Sequence, residues 1–228
     1  GVGYANYTAH CSEEGWADPE FVTSQVPAMS NLDKYCFMIG NCCLSNKFDE
    51  AECFGEAVTR TAGKGAVAYI GGTNSTLWDE DCYWSVGVRS NVTANPEYDA
   101  SRKGAYDRMF HTHGEAFSDW YITGGSMITA GNLSVEASSS SNKLYYWEIY
   151  HILGDPSMMP WYTQPEEMDV TALDVLMAGT TTLDVTAVPY AYVALTADGE
   201  VIAAATADAT GAATLTFAAV EPGINYEL

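Results

Sequence analysis

The chain has 228 residues, and its hydrophobic content of 47% and aromatic content of 12% are those of a folded globular protein rather than a disordered one. Its 30 acidic and 9 basic residues give a formal net charge of -21, which argues against nucleic acid as a partner because phosphate binding depends on Lys and Arg. No run of about 18 apolar residues occurs, so no transmembrane segment is expected. The length suits one α/β domain followed by a smaller second one.

The first region, residues 1–163, is predicted to be α/β. The predicted elements, in chain order, are a strand at Ala5–His10, a strand at Lys34–Gly40, a helix at Cys53–Gly65, a strand at Ala66–Gly72 and a helix at Tyr145–Leu153. The strand at Lys34–Gly40 is a continuous apolar run, as expected of a parallel strand that is buried on both faces. Alternating strands and helices indicate a parallel sheet with right-handed crossovers.

The second region, residues 168–228, is predicted to be a small all-β domain. Leu183 and Val185 alternate with polar residues, and Ala197–Glu200 carries Asp-Gly at the centre of a hairpin turn. Recurring turn signals suggest an immunoglobulin-like sandwich, and Pro160–Glu167 is the predicted boundary. Both ends of the chain read as the interior of a domain, so further sequence is expected on either side.

Six cysteines lie at positions 11, 36, 42, 43, 53 and 82, and none of them forms a CxxC pair. A structural zinc site is therefore not expected. The adjacent residues Cys42 and Cys43 are poorly suited to a disulfide framework, so one of them is interpreted as a free thiol.

A histidine and a cysteine follow the first two predicted strands. His10 ends one strand and Cys43 follows the next, and the carboxyl ends of parallel strands form the binding crevice of an open sheet. A thiol beside an imidazole is the basic unit of a cysteine nucleophile, and the backbone N–H groups just after His10 and at Cys43 are candidates to hold an oxyanion. The alternative is that Cys43 is a packed core residue, which is the common role of a cysteine at the end of an apolar strand.

Eight stretches form long, ordered motifs along the chain: Ala5–His10, Trp16–Pro19, Ile39–Cys43, Cys53–Arg60, Tyr69–Gly72, Trp78–Gly87, Tyr145–Glu148 and Leu153–Pro160. In these stretches the sequence resembles the gingipain family of bacterial cysteine peptidases, and the resemblance runs over nearly its whole length. The resemblance implies a caspase-like fold and a secreted or surface-attached endopeptidase acting on protein or peptide substrates. It places the catalytic histidine at His10 and the nucleophile at Cys43, which leaves Cys42 as a packed neighbour. It also implies that the first part of the catalytic domain lies upstream of position 1.

The resemblance further implies a specificity pocket and a calcium site. Lysine-specific family members select their substrate with an Asp in a WxxD motif, here Trp78 to Asp81, with the Trp as an apolar wall for the lysine stem. The alternative for Asp81 is a solvated loop acid. The family's calcium ligands fall on the backbone carbonyl of Phe48 and the side chain of Glu56, and oxygen ligands of this kind suit calcium.

One departure from the family pattern keeps other functions open. The family has Gly after its histidine, where this chain has Cys11, and cysteine gives up the positive φ that glycine allows. A catalytically inactive surface-binding or structural relative is therefore the main alternative, and an acidic calcium-binding adhesion module is a third. His111 and His113 have the spacing of a metal pair but lack a matching third ligand, so they are interpreted as loop residues.

Overall fold

The structure is a computed structural model that describes residues 2–91, 93, 95–165 and 167–228. Its internal contacts divide it into two units, one extending to Gln164 and the other running from Pro165 to Leu228. The predicted boundary at Pro160–Glu167 includes Glu166, which lies outside the described residues.

The first unit combines a central sheet, a small antiparallel sheet and five α-helices among its described residues. Its elements are β1 (Tyr4–Tyr7), β2 (Cys11–Ser12), β3 (Gly15–Ala17), β4 (Glu20–Val22), β5 (Cys36–Gly40), α1 (Phe54–Arg60), β6 (Ala66–Gly72), α2 (Trp78–Val86), α3 (Ala105–Phe110), α4 (Gly124–Glu136), α5 (Lys143–Ile149) and β7 (Tyr150–Leu153). Short 3₁₀ helices lie at Thr23–Ala28 and Phe117–Asp119.

The central sheet has the strand order β1-β5-β6-β7. β1 pairs with β5 and β5 pairs with β6 in parallel, which confirms the predicted parallel sheet for these three strands. β7 runs antiparallel to β6, with Tyr150 opposite Gly72. The prediction of one helix over Tyr145–Leu153 is therefore wrong in its second half: the helix ends at Ile149 and the chain continues as a strand. A short apolar run fits helix and strand alike, and here pairing with β6 decides.

Alternate residues of β5 supply two hydrophobic cores on opposite faces of the sheet. Phe37 and Ile39 pack in one core with residues from helices α2 to α5, while Cys36 and Met38 pack in the other with residues of α1. All five residues of β5 are buried. Burial on both faces explains why this strand is a continuous apolar run without polar alternation.

The boundaries of two other predicted elements can be compared directly. β6 covers Ala66–Gly72, as predicted. The helix predicted over Cys53–Gly65 is shorter, because α1 ends at Arg60 and the residues that follow form turns in which Gly63 and Gly65 take positive φ.

The second unit contains two two-stranded antiparallel sheets within its described residues. Its strands are β8 (Thr182–Thr186), β9 (Tyr192–Ala197), β10 (Glu200–Thr206) and β11 (Ala212–Thr216), with β8 paired to β11 and β9 to β10. Leu183 and Val185 are buried as predicted. Asp198 and Gly199 both take positive φ between β9 and β10, which confirms the predicted tight hairpin. The immunoglobulin-like arrangement stays a prediction.

No helix in the described part of the chain is long and apolar enough to cross a membrane.

Candidate active site

The two candidate catalytic residues follow strands that end side by side. Tyr7 of β1 is opposite Gly40 of β5, and the next amide along, that of Asn41, donates to the Tyr7 carbonyl at 2.8 Å. His10 follows Tyr7 by three positions and Cys43 follows Gly40 by three. The predicted strand over Ala5–His10 ends earlier, at Tyr7, so both residues lie in loops at the same sheet edge.

A disulfide joins these two loops. Cys11 is bonded to Cys42 with a Cα–Cα distance of 5.6 Å. The predictions that the adjacent pair Cys42 and Cys43 is poorly suited to a disulfide framework and that Cys42 is only a packed neighbour are wrong for Cys42. Adjacent residues direct their side chains differently, so Cys42 is bonded and buried while Cys43 keeps a free thiol. That one of the pair is a free thiol is confirmed.

The backbone of Cys11 explains how this residue replaces the family glycine. Cys11 lies in β2 opposite Trp16, in extended backbone that any residue adopts. The positive φ that only glycine tolerates well is therefore not required at this position. Cysteine in place of the family glycine is therefore a weaker reason to expect a catalytically inactive protein.

The loop that carries His10 is held through its backbone. The His10 carbonyl accepts hydrogen bonds from the Tyr7 hydroxyl at 2.9 Å and from the Ala17 amide at 3.1 Å. The Tyr7 ring stacks on Trp16 with centroids 4.7 Å apart. The His10 side chain itself is exposed, and its ring lies 6.3 Å from the ring of Trp78. The imidazole therefore stands at the surface on a fixed backbone.

The Cys43 thiol is partly buried against Thr76. The Thr76 amide donates to Cys43 Sγ at 3.3 Å, and Thr76 Oγ1 lies 3.6 Å from the same sulfur. Leu44 takes a positive φ of 58° directly after the cysteine, which marks a sharp turn at this point.

Asp81 lies on α2 and is surrounded by hydroxyl donors. Its Oδ1 accepts from Tyr146 at 2.9 Å and from Tyr150 at 2.8 Å, and its Oδ2 accepts from Thr76. The backbone carbonyl of Asp81 accepts from the side-chain amide of Asn41 at 3.0 Å. The alternative of a solvated loop acid is therefore wrong.

Burial also changes the titration of this acid. Loss of water around the carboxylate raises the pKa of Asp81 to about 6, although the hydroxyl donors act in the opposite direction by favouring the charged form. The group is thus ionised at neutral pH and becomes neutral in mildly acidic solution.

Asp81 lines a pocket that lies next to His10, because Trp78 lines the same pocket and contacts the His10 ring. The cavity has a volume of about 210 Å³. It is lined by Thr8, Ala9, Asn41, Trp78, Asp81, Cys82, Ser85, Val86, Thr93, Pro96 and Tyr106. Trp78 is 64% exposed and borders both the pocket and His10. Thr76 contacts Cys43 and Asp81 together, so the pocket adjoins the thiol.

Three residues of the site escaped the sequence reasoning. Thr76, Tyr146 and Tyr150 hold the Asp81 carboxylate, and the Tyr146 hydroxyl also accepts from the Leu77 amide at 2.9 Å. The two tyrosines are 65 and 69 positions from Asp81, and no spacing rule connects groups so far apart. The aromatic run of α5 and β7 was predicted as a helix, and no role in the site was assigned to its tyrosines.

The predicted calcium ligands lie at the start of α1 and in the loop before it. Glu56 Oε2 accepts from the Cys53 amide at 3.1 Å, which caps the helix, and Glu56 Oε1 pairs with Arg60 at 3.3 Å. Phe48 is half exposed, and its ring meets His151 at 5.5 Å. Among the described residues, no group of three or more His, Cys, Asp or Glu side chains is placed to hold a metal ion.

The two histidines at 111 and 113 make aromatic contacts in a loop. His111 ends α3 and stacks on Trp120 with centroids 3.7 Å apart, and His113 stacks on Tyr98 at 3.8 Å. These contacts agree with their interpretation as loop residues.

Known proteins similar to this chain are named as gingipains. Lys-gingipain of Porphyromonas gingivalis is 40% identical over 222 residues, which are 94% of this chain and 12% of the relative. Gingipain R2 of the same organism is 26% identical over 212 residues, or 90% of this chain and 26% of the relative. The chain thus spans a small part of these relatives.

Solved structures agree with the fold. A structure described as that of a protease is 40% identical, with a TM-score of 0.85 over 99% of this chain and 50% of its own. The Arg-specific cysteine proteinase gingipain R is 23% identical, with a TM-score of 0.76 over 95% of this chain and 47% of its own, and it supports the fold alone. Together they confirm the predicted mixed α/β fold with a parallel sheet.

A sequence profile completes the assignment. The profile of peptidase family C25 matches residues 1–161, which is most of the first unit. With the 40% identity to Lys-gingipain, this match confirms the resemblance drawn from the motifs. The chain belongs to peptidase family C25.

Proposed function

We propose that the protein containing this chain is a cysteine endopeptidase that cleaves after lysine, with Cys43 and His10 as its catalytic dyad. One observation carries the proposal: Thr76 contacts both the Cys43 sulfur and the Asp81 carboxylate, so an acid-based pocket adjoins a free thiol. Family membership supports a cysteine nucleophile, and the name of the 40% identical Lys-gingipain supports lysine.

The reaction begins when Cys43 Sγ attacks the carbonyl carbon of the scissile bond and its proton passes to His10. Backbone N–H groups of Cys11 and Cys43 hold the oxyanion. The C–N bond then breaks as His10 gives its proton to the leaving amine, which leaves an acyl-thioester. Water attacks that carbonyl, His10 takes and returns a proton, and the acid and free thiol are released.

Lysine selection follows from charge and shape in the pocket. The substrate ammonium reaches the ionised Asp81, while its methylene stem lies along the Trp78 ring. Because Tyr146, Tyr150 and Thr76 fix the carboxylate, its position does not depend on the substrate. Preorganisation of this kind keeps binding energy available for selection.

We also propose a structural calcium ion held by the Phe48 carbonyl and the Glu56 carboxylate. Both are hard oxygen donors, and Asp49 and Glu52 add negative charge nearby. Since each Glu56 oxygen already has one partner, further ligands would be backbone carbonyls and water. Chelation is expected to lower the Tm of the wild-type protein and to leave that of Glu56→Gln unchanged. Equal decreases in Tm on chelation of the wild type and of Glu56→Gln would show that Glu56 is not a calcium ligand.

The proposed location is the cell exterior or the bacterial surface. The Cys11–Cys42 disulfide supports this, because such bonds persist in oxidising compartments. The proposed partners are protein or peptide substrates and an upstream part of the same catalytic domain, in keeping with a chain that spans half of the similar solved protease. The charge of -21 argues against nucleic acid.

The decisive test compares matched fluorogenic peptides that end in Lys or Arg before the reporter group. The full-length protein is expected to prefer Lys, and Cys43→Ala to abolish cleavage. Cys36→Ala is the matched control, because this buried cysteine lies on β5 away from the cleft. If the folded, calcium-loaded protein, with Cys43 as a free thiol and the Cys11–Cys42 bond intact, cleaves neither peptide, the inactive surface-binding alternative gains instead.

A further inference from the structure

We infer that the Cys11–Cys42 disulfide is a positioning device for the catalytic dyad, which rests on the function proposed above. Cys11 directly follows His10, and Cys42 directly precedes Cys43. One covalent bond, with a Cα–Cα distance of 5.6 Å, therefore ties the loop of the general base to the loop of the nucleophile. Nothing in the family motif requires this bond, because the family has glycine at the first position.

The bond closes a ring around the histidine. At one end of the ring, β1 and β5 are joined by the Asn41 amide and the Tyr7 carbonyl. At the other end, the disulfide joins the same two chain segments beyond the sheet. His10 lies inside the segment from Tyr7 to Cys11, so the segment cannot swing away from β5 while the bond is intact.

The two loops are otherwise held by different neighbours. The His10 carbonyl is bonded to Tyr7 and Ala17, on the side of β1 and β3. The Cys43 loop is bonded to residues after β6, through Cys43 with Thr76 and through the Leu44 amide with the Asn74 carbonyl at 3.1 Å. Independent anchoring lets two catalytic groups drift relative to each other, and a crosslink between them removes that freedom.

The bond also sets opposite redox requirements for neighbouring residues. A dithiol reductant breaks the S–S bond by giving two electrons and two protons, which produces the Cys11 and Cys42 thiols and the cyclic disulfide of the reductant. Cys43, in contrast, has to remain a thiol in order to attack. A Cys43 that carries a small thiol in a mixed disulfide is restored by the same exchange, which releases that thiol, whereas the Cys11–Cys42 bond is open to attack only at Cys11, because Cys42 is 1% exposed.

The test compares the full-length wild type with the double variant Cys11→Ala/Cys42→Ala. Alanine at both positions leaves no new thiol, and peptide mass spectrometry separates alkylation of Cys43 from that of Cys82, the other partly exposed free cysteine. The double variant is expected to lose about 10- to 100-fold in kcat on Lys peptides, as misplacement by about 1 Å does elsewhere. KM and the Lys-over-Arg ratio are expected to change little, because the Asp81 pocket is not touched. Cys36→Ala, which removes a buried cysteine elsewhere, is expected to match the wild type.

A second readout separates this inference from the proposed function. At neutral pH, iodoacetamide alkylates a thiol activated by an imidazole far faster than an isolated thiol. This rate can be measured whether or not the protein cleaves peptides. The rate of Cys43 alkylation near pH 7 is expected to fall in the double variant alongside kcat. If the wild type cleaves no peptide but its alkylation slows in the variant, the proposed function fails and the positioning role stands.

Two results would overturn the inference. One is a folded double variant whose kcat and Cys43 alkylation rate equal those of the wild type. The other uses wild-type protein titrated with increasing dithiol, and it applies equally if the double variant does not fold. Activity is expected to rise as Cys43 is kept reduced, to fall when the Cys11–Cys42 bond breaks, and to recover on reoxidation. A plateau that persists after mass spectrometry shows Cys11 and Cys42 reduced would refute the role.

Discussion

Asp81 gives the sharpest test of the proposed specificity, through the pH dependence of lysine selection. Burial raises the pKa of its carboxyl to about 6, so the acid is charged above this pH and neutral below it. Only the charged form pairs with a substrate ammonium. The preference for a Lys peptide over an equally long norleucine peptide is therefore expected to fall by up to about tenfold for each pH unit below about 6, until it reaches the value of the uncharged pocket.

The ratio of the two kcat/KM values isolates this titration. Because both peptides use the same dyad, ionisation of His10 and Cys43 affects them equally and cancels. Replacing Asp81 by Asn removes the charge, and a hydrogen bond to a charged group contributes about 1.5–3 kcal/mol, or about 10- to 150-fold in kcat/KM for Lys. Asp81→Asn is expected to give a low ratio without pH dependence. Asp79→Asn, an exposed acid on the same helix, is the matched control.

The same carboxylate also affects stability. Its folded-state pKa of about 6 exceeds the ordinary value of 3.8, so the folded protein binds more protons between these values and loses stability as pH rises through them. At about 1.4 kcal/mol per pH unit, the loss amounts to about 3 kcal/mol. The Tm of Asp81→Asn relative to wild type is expected to rise from pH 4 to pH 7.

A selectivity ratio that stays constant from pH 5 to 8 in the wild type would refute the assignment of Asp81 as the residue that selects lysine.

Three further predictions concern the surroundings of this site. Thr76→Val removes the hydroxyl donated to the selecting carboxylate and is expected to lower kcat/KM for Lys peptides about 5- to 10-fold, with Thr76→Ser restoring it. Removing the Cys11–Cys42 bond, whose sequence separation is 31, is expected to cost about 3.7 kcal/mol in the chain-entropy treatment, measured as a lower Tm of the double alanine variant; an unchanged Tm would contradict it. Gly131→Ala places a Cβ 2.1 Å from the Trp84 ring, so a loss of about 1–3 kcal/mol is expected on chemical denaturation.

Sequence reasoning located the parts of the fold that burial alone determines. Strands β5 and β6 were predicted because residues buried on both faces leave an unbroken apolar run. β7 was missed because Tyr145–Leu153 fits helical and extended spacing alike, and its pairing with β6 across the sheet decides between them. Local pattern thus suffices for central strands and fails where a distant partner sets the conformation.

The candidate site divides in the same way. That His10 and Cys43 lie at one edge of the sheet was predictable, because each follows a strand of the parallel sheet, although β1 ends at Tyr7 and not at His10 as predicted. The donors around Asp81 were not, because Tyr146 and Tyr150 reach it only after α5 and β7 have packed against α2. A carboxylate whose partners lie that far along the chain reads in sequence as an ordinary surface acid.

The adjacent cysteines show how one dipeptide can serve two purposes. Consecutive side chains point in different directions, so Cys42 turns into the interior toward Cys11 while Cys43 faces Thr76 at the pocket. A thiol buried in a disulfide and a thiol kept free for attack can then coexist in adjacent residues, provided that the surroundings oxidise slowly enough to spare Cys43. Glycine at position 11 would leave Cys42 without a partner, so the departure from the family residue and the pairing of Cys42 are one change, which the double variant tests as a unit.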